Sequence, residues 1–83
     1  MTKYRDVSEY GVHLSINVVS GDTGEVIDFQ SESEYYATYE EACAVAERYK
    51  MMLGEEICSW GSDAGILDDV WVDEEPRINR YFA

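Results

Sequence analysis

Basic residues are scarce in this chain, which has six Lys and Arg against 18 Asp and Glu in 83 residues. The formal net charge is therefore −12 at pH 7. A surface with this charge repels nucleic acid and anionic membranes, whereas it attracts basic proteins. The sequence thus predicts no direct binding of nucleic acid or membrane, and it favours a partner with a basic surface.

Long apolar runs are absent as well. No segment approaches the roughly 18 consecutive apolar residues that a membrane-spanning helix requires, and residues 1–15 lack the apolar core of a signal peptide. The two cysteines, Cys43 and Cys58, match neither a close-spaced metal motif nor a framework of several disulfides. We therefore expect a cytoplasmic protein with two reduced thiols.

Residues that usually carry catalysis are few. His13 is the only histidine, and no nucleophile motif ties a serine or cysteine to it. The chain has no glycine-rich phosphate loop, no dinucleotide-binding fingerprint and no zinc-binding spacing. Its carboxylates do not follow the spacing of an EF-hand, and so short a chain leaves little room for a glycosidase cleft. We expect no enzyme activity, no cofactor and no metal site.

The clearest local signal is a helix over about residues 39–53. Thr38 and Glu41 have the spacing of a capping box, and Gly54 suits the left-handed position that ends many helices. Between these ends, apolar residues recur every three or four positions and form one stripe: Ala42, Val45, Ala46, Tyr49, Met52 and Leu53. This stripe predicts that the helix packs on another apolar surface.

Two alternating segments before the helix predict a β-hairpin. Residues 11–19 place every second, apolar side chain on one face: Val12, Leu14, Ile16 and Val18. After a glycine-containing turn, residues 25–31 alternate again, and we expect Ile27 and Phe29 to face the core. Residues 32–37 are interpreted as a connection or as an extension of the second strand.

Other segments are less regular. Residues 55–65 have the composition of a loop with a short apolar patch, and the alternative is a second short helix over residues 55–62. Residues 78–82 predict a short edge strand. Residues 1–9 fit either an edge strand or a packed tail.

The segment 66–73 is rich enough in β-branched and aromatic residues to be a strand. Strict alternation would place Val70 and Val72 on one face, and Leu67 and Trp71 on the other.

These elements follow each other as strand, strand, helix, strand and an optional further strand. The sequence therefore predicts one α+β domain over residues 1–83, with a small antiparallel sheet of about three to four strands packed on one helix. The expected core combines residues of the hairpin and the helix: Val12, Leu14, Ile16, Val18, Ile27, Phe29, Val45, Ala46, Tyr49 and Leu53.

The acidic residues are concentrated in two segments that contain no basic residue. Residues 22–41 hold seven acids and residues 55–75 hold eight. Carboxylates two residues apart on a strand are about 6.5 to 7 Å from each other, and such a row can imitate nucleic-acid phosphates. Aromatic residues beside charges are typical of interface anchors. The predicted partner-binding residues are Glu32, Glu34, Tyr35, Tyr36, Asp68, Asp69 and Trp71.

In size, charge and composition the chain resembles the small phage-encoded inhibitors of bacterial defence, and anti-CRISPR proteins in particular. The resemblance rests on one acidic, tyrosine-rich domain and on no motif. It implies a non-catalytic inhibitor in the bacterial host cell, which acts as a nucleic-acid mimic and occupies a basic nucleic-acid-binding site of a partner. Immunity proteins that neutralise basic nuclease toxins resemble the chain equally, and acidity that serves only solubility is the third interpretation.

Overall fold

A single long strand, β1 (Tyr4–Val19), organises the computed structural model, which describes residues 3–82. The other strands are β2 (Val26–Tyr36), β3 (Glu56–Trp60), β4 (Asp63–Val72) and β5 (Arg77–Phe82), and the helix α1 (Tyr39–Lys50) follows β2. All neighbouring strands are antiparallel. The predicted α+β class is confirmed, and residues 3–82 contain one helix and five strands where three to four strands were expected.

The sheet has the order β2, β1, β4, β3, and β5 pairs with β1 away from the others. β2 and β4 flank the second half of β1, whereas β5 pairs with its first half, from Tyr4 to Glu9. The segment 1–9 is thus a strand from Tyr4 onward, and residues 1 and 2 lie outside the described part. Because the sheet is drawn out along β1, the molecule measures 59 × 24 × 15 Å.

The predicted apolar face of β1 is confirmed, since its four alternating residues are all buried: Val12, Leu14, Ile16 and Val18. Ala42 and Ala46 of α1 pack against this face, together with Leu67 and Val70 of β4. The short alanine side chains let the helix approach the sheet closely. Three residues of the helix stripe pack at the margin of this core: Val45, Tyr49 and Met52.

The predicted orientation of β2 is wrong, because Ile27 and Phe29 are 55% and 71% exposed. Residues opposite each other in neighbouring strands share a face of the sheet. Glu32 pairs with buried Leu14, so the acids of β2 lie on the side of α1 and Phe29 lies on the other side. α1 has 12 residues and is therefore only about 18 Å long. It leaves residues 26–33 of β2 exposed.

α1 begins as predicted and ends three residues early. The side chain of Thr38 accepts a hydrogen bond from the backbone N–H of Glu41 at 3.1 Å, which confirms the N-cap. The last helical residue is Lys50, and tight turns continue to Gly54, whose φ is 83°. These turns carry Leu53 away from the apolar stripe, so this predicted core residue is 44% exposed.

Residues 55–65 contain β3 and the start of β4, so both the loop and the second short helix were wrong predictions. Trp60 pairs with Asp63 across a two-residue turn. The first turn residue, Gly61, has a φ of 63°. Such turns take a positive φ at this position, which glycine adopts without strain.

β4 contains one extra residue opposite β1. Asp69 pairs with Ser15 and Leu67 pairs with the next residue of β1, so Asp68 has no partner of its own. This bulge places Leu67 and Val70 on the same face, and they are 1% and 5% exposed. The prediction that Leu67 shares a face with Trp71 is therefore wrong.

Candidate partner-binding surfaces

The seven predicted partner-binding residues lie on two opposite faces of the sheet. Three are on the face that carries α1, and we call them the helix-side group: Glu32, Glu34 and Tyr36. Three are on the face that α1 leaves open, and we call them the open-side group: Tyr35, Asp69 and Trp71. Asp68 is the extra, exposed residue of the β4 bulge.

The helix-side group is organised by the carboxylate of Glu34. The Tyr36 hydroxyl donates to Glu34 Oε2 at 2.6 Å, and the Tyr49 hydroxyl donates to Oε1 at 2.7 Å. The hydrogen bond to Glu34 raises the pKa of Tyr49 to about 12, and the same cause raises the pKa of Tyr36. Two donors from different elements thus fix this carboxylate. Sequence reasoning assigned Tyr49 to the core and missed its part in the site.

A groove of about 250 Å³ adjoins this carboxylate between β2 and α1. Its lining combines apolar and charged side chains: Glu34, Tyr36, Val45, Arg48, Tyr49 and Met52. Long basic side chains bury their aliphatic stems on such surfaces while their charged ends remain near water. The groove thus brings apolar surface together with the carboxylate of Glu34 and the cation of Arg48.

The open face carries a hydrogen-bonded chain of three side chains around His13. His13 Nδ1 lies 2.7 Å from Ser33 Oγ, and His13 Nε2 lies 2.8 Å from Asp73 Oδ1. A carboxylate only accepts hydrogen bonds, so Nε2 donates to Asp73, and in the neutral ring Nδ1 accepts from the Ser33 hydroxyl. The three residues are far apart in sequence and are brought together by β1, β2 and the end of β4.

Gly11 makes room for this chain. A Cβ atom at this position would lie 2.6 Å from Asp73 Oδ2 and 2.7 Å from His13 Nε2, closer than such atoms approach each other. The backbone N–H of Gly11 donates to Asp73 Oδ2 at 3.2 Å, and the Asp73 N–H donates to the Gly11 carbonyl at 3.0 Å. The lack of a side chain at Gly11 thus leaves space for the Asp73 carboxylate, and the Gly11 N–H holds this carboxylate beside His13.

Two predicted anchors of the open-side group flank this histidine. Trp71 stacks on His13 with ring centroids 5.5 Å apart, and Tyr35 meets His13 edge-on at 6.2 Å. The guanidinium of Arg77 lies 3.5 Å from the centroid of the Tyr35 ring. The cation of the protein itself thus covers part of Tyr35, while Trp71 is 46% exposed. Trp71 is therefore the more accessible anchor on this face.

Ser33, His13 and Asp73 are hydrogen-bonded in the same order as the serine, histidine and aspartate of a serine hydrolase. The two imidazole nitrogens are exchanged, because here Nδ1 faces the serine and Nε2 faces the aspartate. Acyl transfer also needs hydrogen-bond donors, from the backbone or from side chains, around the carbonyl oxygen under attack. In a sheet the backbone N–H groups lie along the sheet, towards neighbouring strands, whereas Ser33 Oγ stands off the face. The hydrogen bonds therefore hold the three side chains together as one polar group on the open face.

Acids of the two base-free segments have no Lys or Arg partner within the described residues. The ion pairs of Lys and Arg there use other acids, namely Glu9 with Arg77, Asp6 with Arg80 and Glu47 with Lys50. The seven acids of residues 22–41 and the eight of residues 55–75, together 15, are left without such compensation. Only Asp73 has a salt-bridge partner among them, and this partner is His13.

Residues 3–82 contain no group of three or more His, Cys, Asp and Glu arranged to hold a metal ion. Within that range no helix has the length and apolar character needed to cross a bilayer. Cys43 and Cys58 are free thiols, and burial raises the pKa of Cys58.

Comparison with protein family models, curated proteins and solved structures finds no match to the chain.

Proposed function

We propose that the chain is a non-catalytic binding protein whose acidic, tyrosine-rich surface occupies a basic, nucleic-acid-binding site on a partner protein. In this role it is a phage-type inhibitor in a bacterial host cell, comparable to anti-CRISPR proteins. The observation that carries the proposal is the uncompensated charge of the two acidic segments. Self-repulsion of this kind opposes folding and is relieved when a basic surface binds.

The hydrogen bonds of Glu34 and the ring contact of Trp71 support a binding interface that combines charged and aromatic side chains. The helix-side group presents Glu34 on two hydrogen bonds, so little freedom is lost when this carboxylate meets a cation. The open-side group presents Trp71 on a rigid support formed by His13. A partner that covers either face meets fixed carboxylates beside an aromatic ring, which is the composition of an interface hot spot.

A partner search followed by a competition assay tests the proposal. The tagged protein is used to isolate partners from bacterial lysate, and the purified partner is then bound to its DNA or RNA in the presence of increasing inhibitor. We expect competition between the nucleic acid and this protein. Simultaneous binding of both would contradict the proposal, and a nuclease toxin as the partner would favour the immunity-protein alternative.

Charge reversal separates specific contact from net charge. Asp68→Lys changes the charge of the base-free segment in β4, while Glu47→Lys makes the same change on α1, where Glu47 already pairs with Lys50 at 3.7 Å. We expect slower association for Asp68→Lys and little change for Glu47→Lys, since steering depends on charges near the interface. Equal effects of both variants would show that only the net charge matters.

The non-catalytic part of the proposal has its own test at Ser33. Wild type and Ser33→Ala are compared for hydrolysis of an activated ester, with circular dichroism to verify the fold. We expect no hydrolysis above background from either protein, because the backbone N–H groups of a sheet do not point towards a carbonyl group placed at Ser33 Oγ. Hydrolysis that disappears in Ser33→Ala would contradict the assignment as a binding protein.

A further inference from the structure

β2 forms one edge of the sheet, and no strand within residues 3–82 pairs with its outer side. Natural edge strands often carry Lys or Pro, which block pairing with another chain, and the 11 residues of β2 include neither. After an irregularity at Ile27, the register with β1 continues without a break from Asp28 to Tyr36. A regular ladder of backbone donors and acceptors is thus open to a further strand.

Side chains of this ladder form two chemically different rows. The row on the side of α1, which we call the acidic row, consists of Asp28, Gln30, Glu32 and Glu34. The row on the open face consists of Phe29, Ser31, Ser33 and Tyr35. A strand added to this edge would place its own alternating side chains beside these rows, at about 4.5 to 5.5 Å between Cβ atoms.

Charge decides which kind of strand fits. If β2 of a second copy paired antiparallel with this edge, the two acidic rows would lie side by side on one face of the extended sheet. Like charges opposite each other destabilise such pairs, and β2 contains no basic residue that could compensate. A strand with Lys or Arg at every second position has the complementary pattern.

We propose that β2 binds an extended basic segment of the partner protein, which adds a strand to the sheet by main-chain hydrogen bonds. Lys or Arg side chains of this segment lie over the acidic row, and small or β-branched residues lie over the row of Phe29, Ser31, Ser33 and Tyr35. Strand addition gains affinity from the backbone and specificity from alternating side chains. This inference rests on the proposed function and adds the binding mode and the chemistry of the partner.

Glu34 gives the acidic row one fixed end. Its carboxylate is half-buried and is held by Tyr36 and Tyr49, whereas Glu32 two residues away is exposed. The groove beside Glu34 is also lined by Arg48, so one cation of the protein itself already lies there. A Lys or Arg of the added strand therefore contacts Glu34 from the edge of the sheet.

Two synthetic peptides of about eight residues test the proposal. The first alternates Lys and Thr, and the second alternates Lys and Pro, so both carry the same charge but only the first retains every backbone N–H for a ladder. Binding is measured by calorimetry, and backbone contacts are located by amide hydrogen exchange. We expect the Lys–Thr peptide to bind at least about tenfold more tightly than the Lys–Pro peptide and to protect amides of β2.

Matched protein variants locate the contact. Glu32→Gln removes one charge from the acidic row, whereas Glu47→Gln removes one charge from α1, outside both base-free segments. We expect Glu32→Gln to weaken the Lys–Thr peptide by about fivefold or more, and Glu47→Gln to weaken it by less than about twofold. Both are exposed side chains, so the fold should be kept, and circular dichroism verifies this.

The possible outcomes separate this inference from the proposed function. Equal affinity of both peptides, with equal effects of both variants, overturns strand addition and leaves attraction by the acidic surface in place. Concentration-dependent dimers with protected β2 amides overturn it in favour of a second copy as the occupant. If neither peptide binds and the protein is a monomer, strand addition is overturned. The proposed function is then tested by the competition assay with the isolated partner alone.

Discussion

The hydrogen bond from Tyr49 to Glu34 predicts that stability depends on pH in a narrow alkaline window. Tyrosine in an unfolded chain has a pKa of about 10, while Tyr49 in the folded protein has a pKa of about 12. Between these values the unfolded chain has lost the phenolic proton and the folded protein retains it. The free energy of unfolding therefore falls as pH rises from about 10 to about 12, and the contribution is complete below pH 10.

The size of this contribution follows from the pKa difference. Two pKa units correspond to at most about 2.7 kcal/mol, at roughly 1.36 kcal/mol for each unit. Tyr49 is only half-buried, so solvent screening lowers the expected value to roughly 1 to 2 kcal/mol. Tyr49→Phe removes the hydroxyl and should lower the free energy of unfolding by this amount at pH 8 and by almost nothing near pH 12.

Urea denaturation followed by circular dichroism measures the difference between wild type and Tyr49→Phe at pH 8, 10, 11 and 12. Comparison of the two proteins cancels the titration of the tyrosines that do not contact Glu34. A double-mutant cycle with Glu34→Gln isolates the pair and should give a coupling free energy of about 1 kcal/mol at pH 8. Parallel pH profiles of wild type and Tyr49→Phe between pH 10 and 12 would refute the assigned hydrogen bond.

Four further substitutions test the fold, and their effects on the free energy of unfolding are measured by the same denaturation assay. Ile16→Ala should lower the free energy of unfolding by about 2 to 5 kcal/mol, because Ile16 is fully buried. Phe29→Ser should change it by less than about 0.5 kcal/mol, because Phe29 is exposed. A large loss of stability in Phe29→Ser would contradict the assigned faces of β2. Ala46→Leu should cost about 1 to 3 kcal/mol, because Ala46 is 2% exposed between helix and sheet, and a neutral result would show that the contact is loose. Gly11→Ala should cost about 1 to 3 kcal/mol by separating His13 from Asp73, and unchanged histidine chemical shifts would speak against this contact.

The second half of β1 was predictable because one apolar side chain stands at every second position and a strand has that period. Phe29 was assigned to the wrong face of β2, because residue identities alone do not show which face of a strand is covered. β2 also alternates, but its apolar residues face open solvent and its acids face the side of α1. Alternation defines two faces of a strand and does not state which face a short helix covers.

The bulge at Asp68 explains the error in β4. Strict alternation separates Leu67 from Val70, yet both are buried, because one extra residue opposite Ser15 resets the alternation. Nothing in the segment 66–73 marks a bulge except its paired aspartates, which are unfavourable inside a strand. Register shifts of this kind depend on the neighbouring strand and follow from tertiary pairing.

The chain of Ser33, His13 and Asp73 was missed, although the alternation over residues 11–19 puts His13 on the face opposite the apolar residues. Ser33 fell in a segment left open as a connection or strand extension, and Asp73 is 60 residues from His13 in sequence. If the second strand of the predicted hairpin had been continued through residues 32–37, the prediction would have placed His13 beside Ser33, because the two strands pair symmetrically around their turn. The contact with Asp73 depends on β4 returning to β1, which the sequence pattern did not specify.

The central claim, that this protein binds a basic surface through its uncompensated carboxylates, is tested most directly by the salt dependence of its affinity for the isolated partner. Calorimetry or surface plasmon resonance between about 50 and 500 mM salt measures it, since exposed charge pairs are increasingly screened over this range. The account predicts that the dissociation constant rises at least about tenfold, with most of the change in the association rate. A dissociation constant that stays the same across this range would contradict the account.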